Sequence, residues 1–200
     1  MRNKNYLNSP LPWLFKGVTS CLLILLLLGV NSAHAQTITV GAGAFASGAL
    51  DNGNPIYRSS ATSSFGWAIS GHVYTAAQLS SMAAGSSITS VAFFKTSAFG
   101  TAAGRNGQLR IYMRNSVSGI LSTATTRGTV QGYNLVYTNA AQTIPASTGF
   151  ISFSLGAPFT YTGGSLEIFM DWQPNGASSG LSTGGFLWQY STGVTSQTIG

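Results

Sequence analysis

Apolar and polar side chains alternate with a period of two through most of the chain. In "QLRIYMRN" (108–115), Leu109, Ile111 and Met113 alternate with Arg110, Tyr112 and Arg114. That pattern predicts a strand with one apolar face and one polar or amphipathic face. "GFISFSLG" (149–156) repeats it with Ile151, Phe153 and Leu155, and "SLEIFMDW" (165–172) with Leu166, Ile168 and Met170. "SITSVAFFKTS" (87–97) is more continuously apolar and reads as a strand covered on both faces. "YNLVYT" (133–138), "GFLWQYS" (185–191) and a first strand at "TITVG" (37–41) complete the set. Gly-, Asn- and Ser-rich runs such as "GTAAGRNGQ", "TYTGG" and "QPNGASSG" separate them as turns. "GAGAFASGALDNGN" (41–54) is the loosest segment and reads as a surface loop or crossover.

The 3.6-residue period is sustained nowhere. The one helix signal is "YTAAQLSSM" (74–82), where Thr75 and Gln78 have the spacing of a capping box. Gly85 stops it after one or two turns, so a short helix is expected near 75–82. Many short strands with no helical partner layer predict an all-β, antiparallel β-sandwich.

The N-terminus is read differently. Arg2, Lys4 and Lys16 precede an apolar run, Cys21–Val30, followed by Ala33 and Ala35 in a small-residue pattern. This is the layout of a secretory signal, 1–35, cleaved between Ala35 and Gln36. The run is too short to span a bilayer, which takes about 20 residues. Cys21 opens the run rather than following it, which argues against lipidation. A single domain, 36–200, is expected to remain. It has no cysteine, so its stability must come from an apolar core rather than disulfides.

Removing the signal also changes the charge. Three of the nine basic residues leave with it, so Arg58, Lys95, Arg105, Arg110, Arg114 and Arg127 face Asp51, Glu167 and Asp171. The positives are scattered, whereas a nucleic-acid surface needs a basic stripe. Charged residues are only 6% of the chain, so solubility falls to Ser, Thr, Asn, Gln and Gly. Aromatic residues at 12% argue for a packed core over disorder.

An ordered series of segments carries a resemblance: "HVYTAAQLS", "SITSVAFF", "LRIYM" and "LVYTNAAQTIPASTGFISFSLGAPFTYTGGSLEIFMDW". The chain resembles an N-terminal β-sandwich module of large secreted or surface proteins of Gram-negative bacteria. Those proteins carry fibronectin-like modules and a C-terminal (type IX-type) sorting domain. The matching positions are Val73–Ala76, Ile88–Phe93, Ile111–Met113 and Pro158–Gly163, within residues 56–190. The resemblance implies a jelly-roll-like sandwich, an adhesive or glycan-facing role, neighbouring modules in a longer chain, and no catalytic residue. Phe150 stands where the family often has Trp. The family's module runs on into a closing strand, whereas this sequence stops at "TSQTIG". A truncated domain with one edge unpaired is therefore expected.

Glu167 and Asp171 are the strongest candidates for chemistry. Four apart on a strand, they share a face with Cα atoms about 13 Å apart. Inward-leaning carboxyls would approach the roughly 6–9 Å of inverting glycosidases. Some jelly-roll glycosidases carry Glu-x-Asp-x-Glu on one strand, but the middle position here is Phe169. Without that assisting carboxylate, the pair reads as solvated charges beside Arg110 or Arg114. His72 has no matching nucleophile elbow and reads as structural. Asp51, Asn52 and Asn54 in "LDNGNP" form a cluster that suits a turn better than calcium.

Binding has other candidates. Tyr112 and Phe169 fall on the outward phase of their strands, and Trp172, Trp188 and Tyr190 lie near strand ends. Flat rings beside Asn, Gln and Arg suit sugar faces, although such rings also pack between sheets or under loops. Three readings follow. The first is a secreted, non-catalytic module binding a glycan or cell-surface polymer, without cofactor or metal. The second is a truncated glycoside hydrolase using Glu167 and Asp171. The third is a structural spacer.

Overall fold

The computed structural model describes residues 36–40, 45–48, 55–56, 68–96, 106–121, 130, 132–174, 188–191 and 198–199. The chain divides into two compact units, Met1–Thr37 and Ile38–Gly200. The described strands all belong to the second. In chain order they are β1 (Phe45–Gly48), β2 (Ala68–Tyr74), β3 (Ser87–Lys95), β4 (Asn106–Ser116) and β5 (Asn134–Thr143). They continue with β6 (Gly149–Thr160), β7 (Ser165–Pro174), β8 (Trp188–Ser191) and β9 (Thr198–Ile199). Every pairing is antiparallel. The strands form two sheets, β1-β8-β3-β6 and β5-β4-β7-β2-β9, with no closed barrel. The all-β, two-sheet expectation is met.

The inter-sheet core follows the alternation. Leu109, Ile111 and Met113 of β4 are fully buried, as are Met170 and Trp172 of β7 and Phe153 of β6. A buried side chain of this size contributes about 1.5–3 kcal/mol. Two connections clip the sheets together. Asn115, at the end of β4, donates from Nδ2 to Thr160 O (3.0 Å), and its Oδ1 accepts from Thr162 N (3.0 Å). Tyr161 donates its hydroxyl to Gly164 O (2.6 Å), and its own N–H bonds Ser86 O (2.9 Å). Gly164 makes this turn possible: its φ is +83°, and a Cβ there would lie 2.9 Å from Ser116 O.

Several expectations change. There is no helix at 75–82. The capping box does form: Thr75 N–H donates to Gln78 Oε1 (2.8 Å) and Gln78 N–H to Thr75 Oγ1 (3.3 Å). Only one i→i+4 bond follows, Leu79 N–H to Thr75 O (3.0 Å), before the chain tightens into i→i+3 turns. Gly85 N–H then bonds Tyr161 O (2.7 Å), which commits the segment to the sheet crossing. One hydrogen-bonded turn does not repay helix nucleation.

The first strand is not at 37–41, because described residues 36–40 make no ladder. It is Phe45–Gly48, inside the segment read as a loop, and its partner is β8. Nor is β3 covered on both faces. Val91 and Phe93 point inward, while Ala92 is exposed and Phe94 half-buried. A bulge supplies the irregularity: the β3–β6 register jumps from Ile88↔Phe159 to Ser90↔Ser154, so Leu155–Pro158 bow out of the ladder. The strand buried on both faces is β7, where Ser165–Trp172 are all buried. The closing residues supply β9, which pairs with β2 at Gly71 and His72. The expected bare edge is thus partly filled.

Strand β2 shows why β7 can be covered on its outer side. Gly71 lies opposite Phe169, and a Cβ on Gly71 would come within 2.6 Å of the Phe169 ring. The ring therefore lies flat over the glycine. Gly71→Ala is expected to cost about 1–3 kcal/mol by overpacking. Adding Phe169→Leu should recover part of that loss, as measured by a double-mutant cycle in urea.

Candidate functional site

The outer face of the five-stranded sheet gathers most of the described charge. Register sets it up: β4 presents Arg110, Tyr112 and Arg114 opposite Asp171, Phe169 and Glu167 of β7. β2 adds Ile69, Gly71 and Val73 on the far side of β7. Arg114 donates to Glu167 Oε2 at 2.8 Å, and Arg110 to Asp171 Oδ2 at 3.3 Å. The sequence placed these residues beside one another, and the pairing is as expected. Their setting is not. Glu167 is 2% exposed and Asp171 4%, so neither is a solvated charge.

The cover comes from the β4–β5 connection. Leu121 and Val130 pack with Ile69, Val73 and Phe169 in an apolar cluster separate from the inter-sheet core. Tyr133 stands edge-on to Phe169, ring centroids 4.7 Å apart. Its hydroxyl donates to Glu167 Oε2 in a very short hydrogen bond, and the Arg114 guanidinium lies 4.1 Å from its ring centroid. Burial raises the Tyr133 pKa first, the Glu167 hydrogen bond and charge raise it further, and Arg114 opposes them in part. The phenol stays a donor at any physiological pH. Nothing in the spacing of 165–172 marks Tyr133 as a partner; it lies 34 residues earlier.

The carboxylates are therefore fully engaged: Glu167 accepts from two donors, and Asp171 from an arginine, with Phe169 between them. Among the described residues, no three His, Cys, Asp or Glu side chains converge on a common point. Asp51, Asn52 and Asn54 lie outside the described residues, as do Cys21 and Ala35. Gln36 is described and exposed.

The candidate rings divide. Trp172 and Trp188 are each 1% exposed and belong to the inter-sheet core. Trp188 Nε1 donates to Ile56 O (3.1 Å). Phe169 is buried and Tyr112 half-buried in the covered cluster. None of these four presents an open ring. Tyr190 lies in β8, but its side chain is outside the described residues. The most exposed described ring is one the reading passed over, Phe150, at 64%. Its position opposite Phe94, on the phase that alternates with Ile151 and Phe153, was visible in the sequence.

Two interior polar groups complete the picture. Lys95 is fully buried, and its Nζ donates to Ala146 O and Ser147 O, both at 3.0 Å, tying the β5–β6 crossing to β3. Two residues after Phe93, it shares that ring's inward phase. His72 faces inward from β2, its ring 5.6 Å from that of Phe93. Ser70 Oγ donates its one hydrogen to Pro55 O (3.1 Å). Oγ therefore accepts from His72 Nε2 (3.3 Å), which assigns the proton to Nε2. A serine so committed is not a nucleophile activated by a histidine base.

The described residues thus define an antiparallel two-sheet β-protein with one covered, ion-paired face. Comparison with protein-family models, with curated proteins and with solved structures finds no match. No helix among the described residues is long and apolar enough to cross a membrane.

Burial lowers the His72 pKa from 6.5 to about 4. The unfolded chain therefore binds a proton that the folded chain refuses between those values, and stability falls as pH drops through that window. The loss is about 3 kcal/mol once pH reaches the folded value. His72→Gln is expected to flatten that part of the profile, read as urea midpoints across the window.

Proposed function

We propose that this chain is a non-catalytic module of an exported protein, built for adhesion to a glycan or other cell-surface polymer. The resemblance to N-terminal modules of large secreted surface proteins, and the signal-like segment at 1–35, support export and a multidomain setting. Strand order supports a jelly roll: β1 pairs β8, β2 pairs β7, β3 pairs β6 and β4 pairs β5. That nesting arises when one long antiparallel hairpin rolls into two sheets, and such folds host many lectin-like domains. Fold alone assigns no activity.

The observation that carries the non-catalytic reading is the commitment of Glu167 and Asp171 to arginines beneath a covered face. A general acid or base must reach a substrate proton. A buried carboxylate held by an arginine and a phenol is poorly placed to do so.

Adhesion draws support from the opposite side of the molecule. On the outer face of β3 and β6, the cross-strand pairs are Ser90–Ser154, Ala92–Ser152 and Phe94–Phe150. Both β6 serines and Ser90 are exposed, and the two rings meet edge to face at 5.1 Å. These pairs carry no ionisable group. A ring flanked by hydroxyls on a flat, uncharged sheet suits a neutral polysaccharide better than a polyanion.

Retention of the full chain on insoluble neutral polysaccharides, backed by a glycan array, tests this. Phe150→Ser should lower retention at least tenfold while shifting stability by no more than about 0.5 kcal/mol. Turnover of β-glucans that disappears in Glu167→Gln would establish the hydrolase instead. Failure to bind any glycan would favour the spacer.

A further inference from the structure

We propose that the Tyr133–Glu167 contact is an acid-sensitive latch. With Glu167 ionised, it holds the lead-in to β5, Val130 to Tyr133, down on the outer face of the five-stranded sheet; with Glu167 protonated, that lead-in lifts while the two sheets stay paired. The inference is independent of glycan binding.

Three features make the lead-in separable. Its apolar contacts belong to the outer cluster, not to the core between the sheets. Its own backbone bond is local, Tyr133 N–H to Val130 O (3.1 Å). The β4–β5 ladder ends next door, at Met113↔Asn134. Beyond that hinge, the described polar ties to the sheet are the Tyr133 hydroxyl on Glu167 and the Arg114 guanidinium against the ring.

The groups facing Glu167 define what protonation does. β4 supplies Arg114, the connection supplies Tyr133, and β2 supplies apolar Val73. Further along the same face stand Asp171 and Arg110, already paired. His72 and Lys95 point into the interior. A proton added to the Glu167 carboxylate removes the charge that Tyr133 and Arg114 both address. The Arg114 side chain is 45% exposed and returns to water at little cost. Tyr133 is left with a neutral acceptor, and a hydrogen bond to an ionised group is roughly twice as strong as one to a neutral group.

Native-state amide exchange on the full chain tests the latch, with His72→Gln as the background so that its titration does not contribute. The Tyr133 amide reports the lead-in, and those of Ile111 and Ile168 report the sheet. Between neutral pH and ~pH 3, below the ordinary carboxylate range, protection at Tyr133 should fall about tenfold relative to the sheet, after correction for intrinsic rates. Tyr133→Phe should show the low protection at both pH values, and Glu167→Gln should show it already at neutral pH. If Glu167→Gln does not fold, Tyr133→Phe decides. The latch is overturned if protection at residue 133 falls only in step with Ile111 and Ile168, if it does not fall, or if Tyr133→Phe keeps the wild-type pH dependence.

Discussion

A carboxylate taken out of water without a partner costs several kcal/mol, and β7 takes two of them out. Everything on the outer face of the five-stranded sheet answers to that cost. β4 is the neighbour that can meet it, because its register sets Arg110 against Asp171 and Arg114 against Glu167. The arginines keep part of their length in water while the carboxylates do not. Such pairs add little net stability over apolar neighbours of the same size. Their effect on register is larger. Slipping β7 by one residue would turn both charges into the core beside Phe153 and Met113, and would push Ile168 and Met170 outward.

The charges also explain the second layer of cover. A face carrying two neutralised ion pairs, Phe169 and Tyr112 is apolar enough to bury but needs a donor where Glu167 still has a free lone pair. Tyr133 meets both needs with one side chain: its ring packs on Phe169 and its hydroxyl reaches Glu167. The inter-sheet core and this outer cluster are thus built on different chemistry. One is held by aliphatic and aromatic contact between sheets. The other is held by aromatic contact organised around charge.

Much of the sheet structure was legible because alternation is a local signal. β4, β6 and β7 fell where Leu109–Met113, Ile151–Leu155 and Leu166–Met170 placed them. The misses share one cause, which is pairing that local composition hides. Phe45–Gly48 is too Gly- and Ala-rich to read as a strand until Trp188–Ser191 pairs with it. β2 is interrupted by Gly71, whose missing side chain is the space that Phe169 fills. Thr75 and Gln78 form the bonds their spacing promised, yet one turn of backbone was all they organised. For the site, the partners of Glu167 and Asp171 were readable from charge, but their burial was not. Burial depends on Leu121, Val130 and Tyr133 arriving from a distant connection. Trp172 and Trp188 illustrate the converse: large rings near strand ends look available in one dimension and fill a core in three.

The bow of Leu155–Pro158 out of the β6 ladder bears on how such a charge-poor chain stays apart from its copies. β6 is the last strand of its sheet, and in a row so nearly free of lysine or glutamate nothing electrostatic would repel an incoming strand. Geometry does the work instead. Pro158 brings no amide hydrogen, and the four displaced residues break the even spacing that a second backbone would have to match. A newly exported molecule meeting its neighbours at high density thus presents a margin on which they cannot zip.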